Sequence, residues 1–161
     1  MVVLAKGGGT VQDVMSIERE AVERWNAHDR EGYLALFDEK VRFTDAAMGY
    51  DLIGREKFGK GFFDVWAEAY PDTQIKETLT FTDGTWICFE GRFTGTHTGS
   101  FHGPDIEMPP TGKSIDSPYV WLAEVRDGKI KSARIYYDRL LTLEQEGIVS
   151  LKEFAAQLTP A

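Results

Sequence analysis

The chain has 161 residues, 42% of them hydrophobic and 27% charged, with a formal net charge of −8. That balance belongs to one soluble globular domain rather than a disordered tail, and the acidic excess argues against binding nucleic acid or anionic membranes. A single cysteine, Cys88, excludes an intramolecular disulfide or a thiolate metal cluster, and no HExxH, Walker, GxGxxG or GxSxG pattern occurs. Chemistry is therefore left to carboxylates, imidazoles and phenols, with no metal site expected. The longest apolar runs, Val2–Ala5 and Tyr119–Ala123, fall far below the roughly 18 residues of a membrane span, so a cytoplasmic protein is expected.

Residues 1–9, ending in three glycines, read as a flexible leader, and residues 10–161 as one domain. Thr10 and Asp13 have the spacing of a capping box. Val14, Ile17, Ala21 and Trp25 then step by three and four along one helical stripe. Asp29 is a good N-cap for a second short helix carrying Tyr33, Leu34, Leu36 and Phe37. Val41-Arg42-Phe43-Thr44 alternates as a short strand, and a loop follows to about Ile53. Helix returns over 54–69, with Phe58, Phe62, Val65, Trp66 and Ala69 on one face, and Pro71 ends it.

From Thr73 the apolar period changes to two. Asp83-Gly84 and Asp127-Gly128 each carry the signal of a two-residue type I′ hairpin. They predict strands over 73–82 and 85–98, then 114–126 and 129–138. A Gly/Pro-rich connection over 99–112 separates the hairpins, and a short helix from Leu140 closes the chain. Helices followed by a four-stranded meander define an α+β fold, in which a curved antiparallel sheet wraps amphipathic helices into a cone with a mouth.

With Asp127-Gly128 as the turn, Glu124 faces Lys131, Leu122 faces Ala133 and Val120 faces Ile135. On the other side Val125 faces Ile130, Trp121 faces Arg134, and Tyr119 faces Tyr136, with Asp138 next along. The Glu124–Lys131 pair marks the solvent side, so Tyr119, Trp121, Tyr136 and Asp138 are expected inside the cone, and Arg134 with them. The outer strip of Val120, Leu122 and Ile135 predicts a homodimer contact. A β-bulge would invert these assignments beyond it, and ideal pairing of the first hairpin already sets Glu77 against Glu90.

Certain motifs carry a resemblance. They are Gly95-Thr96-His97-Thr98-Gly99-Ser100-Phe101-His102-Gly103, Pro110-Thr111-Gly112-Lys113, Asp127-Gly128-Lys129-Ile130 and Tyr136-Tyr137-Asp138, with Trp25-Asn26 and Tyr70-Pro71-Asp72. Over roughly Asp13 to Gly147 the chain resembles the SnoaL-like polyketide cyclases and ester cyclases of the NTF2-like superfamily. Many of those relatives carry a histidine after the first strand, where this chain has Thr44-Asp45. The resemblance implies an α+β cone with a deep apolar pocket and cofactor-independent acid/base catalysis of an intramolecular aldol closure. It also implies that Asp138, at the end of the last strand, is the acid/base group.

Each site residue also has a structural reading. Asp138 is either the catalytic carboxyl or the N-cap of the segment starting at Arg139. His97 either assists catalysis or holds the loop that it opens, and His102 either covers the mouth or faces solvent. Asp45 is either a second pocket carboxylate or the head of an Asx turn. Trp25, Asn26, Trp66, Tyr119, Trp121 and Tyr136 complete the expected binding wall. Two functions follow: an enzyme acting on a small hydrophobic carbonyl compound, by aldol closure, isomerisation or dehydration, or a module that binds a hydrophobic molecule unchanged.

Overall fold

A computed structural model describes residues 11–104 and 106–158, with backbone alone for 11–13. The expected leader therefore lies outside the described residues, as does Thr10.

Helix α1 (Val11–Asn26) buries Val14, Glu18, Ala21 and Trp25 on one stripe. His28, at φ 55°, turns the chain. Asp29 caps α2 (Arg30–Ala35), its Oδ1 accepting from Gly32 N at 2.9 Å. Strand β1 (Phe37–Asp45) is longer than its alternating core suggests, and it turns back on β2 (Tyr50–Ile53), which the sequence reading treats as loop. The third helical stretch runs as α3 (Arg55–Phe58), a π-helical turn (Gly59–Phe63) and α4 (Asp64–Ala69). Across the wide turn, Phe62 and Phe63 are both buried although adjacent in sequence. Arg30 grips Asp64 through Nε at 2.6 Å and Nη2 at 2.9 Å, tying α2 to α4.

The sheet continues with β3 (Gln74–Thr82) and β4 (Trp86–Thr96). A small ribbon follows, β5 (Phe101–His102) with β6 (Glu107–Met108), and then β7 (Ser114–Arg126) and β8 (Lys129–Tyr137). The main sheet has six strands in the order β2-β1-β8-β7-β4-β3, not four, and is open rather than closed into a barrel. All its pairings are antiparallel except β1 with β8. Helix α5 (Arg139–Gln145) covers one end of β7; after Gly147, at φ 72°, the exposed α6 (Leu151–Leu158) follows.

The two hairpins differ. Asp127 and Gly128 have φ 53° and 68°, as a type I′ turn requires. At Asp83-Gly84 only the glycine has positive φ, and Asp83 Oδ1 instead holds the amides of Thr85 and Trp86 at 2.8 and 2.7 Å. A bulge between Glu77 and Leu79 then pairs Glu77 with Gly91 and Leu79 with Glu90, so the two acids do not face each other.

A second bulge has larger consequences. Pairing slips between Glu124 and Val125, so Val125 faces Ile130 but Glu124 faces Ser132. Beyond it Trp121 pairs with Ile135, Leu122 with Arg134, Val120 with Tyr136 and Tyr119 with Tyr137. Every side chain of β8 past Lys131 therefore lies on the face opposite to the one expected. Ile135 turns inward at 9% exposure, while Tyr136 faces solvent at 44%. Arg134 is outside too, its guanidinium 5.7 Å from the centre of the Trp86 ring.

An aromatic core stands between helices and sheet. Phe58 stacks on Phe62 at 5.5 Å, and Phe37 and Phe43 each approach one of them to 4.6 Å. Truncating such a ring to alanine costs about 3–5 kcal/mol.

Candidate functional site

A cavity of about 60 Å³ opens between α1 and the inner face of β3, β4, β7 and β8. Eight of its sixteen lining side chains are aromatic. Trp25 of α1, Trp66 of α4, and Tyr119 and Trp121 of β7 line it, the last two because alternation places every second residue of β7 inward. Tyr33, Phe62, Phe93 and Tyr137 complete the aromatic wall, while Ser117 and Thr142 add hydroxyls.

The carboxyl in this wall is Glu18. It is 6% exposed, and its Oε2 has no hydrogen-bond partner. Among the described residues that line the cavity, none is lysine, arginine or histidine. Burial, and then the negative charge of Glu77, push the Glu18 pKa up to about 8. The buried phenols of Tyr33 and Tyr119 are pushed well above the usual tyrosine range, first by burial and then by the Glu18 charge. The arrangement is an acid near neutrality beside two phenols that stay protonated.

Glu18 has a signal in the sequence. It lies four residues after Val14, three before Ala21 and seven before Trp25, and so falls on the buried stripe of α1. A charge in the middle of an apolar stripe marks a buried functional group.

A second carboxyl stands behind the wall. Asp45, fully buried at the end of β1, accepts the Tyr137 phenol on Oδ2 at 3.2 Å. Its Oδ1 holds the amides of Ala47 at 3.1 Å and Met48 at 2.9 Å, the contacts of an Asx turn, and Asp45 is not among the residues that line the cavity. Burial raises its pKa, opposed by these three hydrogen bonds and by the charge of Arg139.

The other expected site residues lie elsewhere. Asp138 is exposed, and its Oδ1 caps α5 by accepting from Leu141 N at 3.0 Å. It and Tyr136 are not in the cavity wall, because the bulge at Lys131 reverses their face. Asn26 pins the edge strand instead: Nδ2 donates to Ile75 O at 2.9 Å and Oδ1 accepts Ile75 N at 2.7 Å. His102 is exposed on the β5–β6 ribbon, with Glu107 at 3.6 Å and Glu68 at 3.9 Å.

His97 is fully buried behind the wall, stacked on Tyr70 at 5.1 Å. Its Nδ1 lies 3.3 Å from Thr111 Oγ1, and its backbone bonds Gly112 and Lys113. That holds the loop in the manner of its structural reading. Tyr70 donates to Glu146, which is 4.0 Å from His97 Nδ1 and 3.8 Å from Arg139 Nη1. Burial holds the His97 imidazole below its usual pKa, with Glu146 opposing. Arg139 reaches back toward the cavity by donating to Thr142 Oγ1 at 3.0 Å.

No helix among the described residues is long and apolar enough to cross a membrane. None of the curated proteins is significantly similar to the chain in sequence. Solved structures do resemble it. A SnoaL-like protein from Jannaschia sp. CCS1 superposes with a TM-score of 0.75 at 23% identity, over 91% of this chain and 99% of its own. AclR from Streptomyces galilaeus gives 0.75 at 18% identity, over 88% and 100%. IdmH from Streptomyces antibioticus gives 0.69 at 21% identity, over 83% and 97%. At these identities the likeness concerns the NTF2-like fold. The sequence model of the SnoaL-like polyketide cyclases matches residues 16–146, and with helices, sheet and cavity as described the chain belongs to that family.

Proposed function

We propose that the protein is an acid/base enzyme acting on a small hydrophobic carbonyl compound, with Glu18 as the group that moves the proton. The observation that carries this reading is a buried carboxyl with an unpartnered oxygen in a largely apolar, aromatic cavity. Burying such a group without a partner costs several kcal/mol, which packing alone does not require.

In an aldol closure, ionised Glu18 takes a proton from the carbon between two carbonyls. The resulting enolate attacks a second carbonyl of the same molecule, forming the carbon–carbon bond. The new alkoxide takes the proton back from the Glu18 carboxylic acid, so no net proton and no oxidant is needed. A pKa near neutrality suits both halves of this cycle. The phenols of Tyr33 and Tyr119 donate to the enolate oxygen while it carries charge. Isomerisation and dehydration of carbonyl compounds share the first step and need the same groups.

The protein acts as a homodimer through the outer face of the sheet. Leu79 and Phe81 are 54% and 60% exposed there, and Val120, Leu122 and Tyr136 extend the strip. Ile135, the third residue of the expected strip, belongs to the cavity instead.

The test is deuterium uptake at the α-carbon of cyclohexanone in heavy water. Wild type accelerates uptake, and Glu18→Gln loses at least about 100-fold of that acceleration. Asp138→Asn in the same assay decides between the two carboxylates. Uptake lost in the folded Asp138 variant and kept in the Glu18 variant returns the role to Asp138.

A further inference from the structure

We propose that this cavity also receives a small hydrophobic ammonium ion, held by the ring walls and paired with the carboxylate of Glu18. The inference rests on Glu18 being the working carboxyl of the cavity, not on any particular reaction. Three observations carry it. Trp25, Tyr33, Phe62, Phe93, Tyr119 and Trp121 all line the one cavity. The electron-rich faces of such rings attract a cation, tryptophan most strongly. The described lining holds a carboxyl with one unpartnered oxygen and no basic side chain, so the site has an ionisable acid and no counter-charge for its carboxylate form.

The chemistry then selects the ligand. An anion is repelled by rings and carboxylate alike. A hydrated primary ammonium needs several hydrogen-bond acceptors, whereas Glu18 is the one carboxyl in the wall and Ser117 and Thr142 are its aliphatic hydroxyl groups. A methylated ammonium needs few acceptors and offers apolar surface to the rings.

The cation and a proton compete for Glu18. The groups near it are Glu77 on β3, Tyr33 on α2 and Tyr119 on β7, while β4 contributes Phe93 to the wall. The charge on Glu77 disfavours ionisation of Glu18 and favours a cation beside it. Binding below neutral pH should therefore release about one proton per cation, and affinity should fall about tenfold per pH unit there.

The experiment is calorimetry with choline and with its neutral isostere 3,3-dimethylbutan-1-ol, at pH 6.5 and 8.5, in two buffers of different ionisation enthalpy. The expected result is choline binding at least about tenfold tighter than the alcohol, proton release at pH 6.5, and at least about a tenfold loss in Glu18→Gln. Tyr119→Leu supplies a second variant that keeps the carboxyl and removes one ring wall; it should weaken choline more than the alcohol. Equal affinity for the two compounds, no choline binding, or choline binding indifferent to Glu18→Gln overturns the inference. Ketone exchange lost in Glu18→Gln with no choline binding by wild type overturns this inference alone. Choline binding lost in that variant with exchange intact overturns the proposed reaction alone.

Discussion

Tyr137 donates its phenolic proton to Asp45 Oδ2 at 3.2 Å, joining the ends of the sheet's one parallel pair of strands, β8 and β1. One partner belongs to the cavity wall and the other is fully buried behind it. Tyr137→Phe keeps the ring and removes the donor. We expect a loss of about 1–3 kcal/mol in urea unfolding, as for a buried carboxylate that loses a hydrogen bond. Asp45 already has a raised pKa in the folded state, and losing the phenol raises it further. Stability carried by such a group is present at low pH and falls as pH rises, so the variant should be hurt more at pH 8 than at pH 4. Equal loss at both would contradict this role for Tyr137.

Glu18 couples stability to pH over a wider window. Its folded pKa is about 8 against an ordinary value of 4.5. Stability is full below the ordinary value and declines by up to about 1.4 kcal/mol per pH unit until the folded pKa is passed. Glu18→Gln removes that decline. The variant should overtake wild type in melting temperature between pH 5 and pH 9, and parallel curves across that range would contradict the burial of an ionisable group here.

Asp138 caps α5, and its hydrogen bond to Leu141 N predicts how substitutions rank. Asp138→Ala should cost about 0.5–2 kcal/mol, and Asp138→Asn much less, because asparagine is an equally good cap. Chemical denaturation of the two variants checks the order. Equal losses would separate Asp138 from capping.

The outer strip predicts a dimer that one charge disrupts. Leu122→Glu, or Phe81→Glu on the edge strand, should convert a dimer to a monomer in light scattering at micromolar concentration. Neither position touches the cavity, so the folded monomer should still bind ligand. A wild-type monomer, or a dimer unaffected by both changes, contradicts the proposed contact.

Helices, hairpins and the inward face of β7 were legible because their signals are local: a stripe at period 3.6, Asp-Gly turns, and strict alternation from Ile115 to Val125. The face of β8 was not. A bulge near Lys131 needs no distinctive residue, yet it exchanges Tyr136 for Tyr137 and carries Asp138 outside. The parallel β1–β8 pairing was also hidden, because partners about 90 residues apart leave no mark in either segment, and β2, only four residues long, is too short to show a period. Glu18 sits on the buried stripe of α1, but apolar periodicity finds only the apolar members of a stripe and does not single out an acid among them.

Everything proposed for the cavity turns on Glu18 carrying a proton that titrates well above the ordinary value of 4.5. Carbon-13 NMR of glutamate side-chain carboxyls, assigned by Glu18→Gln, reads that proton directly. The result expected is one resonance, missing from the variant, with a midpoint about 8, moved downward when choline is added. A Glu18 resonance that titrates with the surface glutamates, near the ordinary value of 4.5, would rule out a buried, proton-holding Glu18.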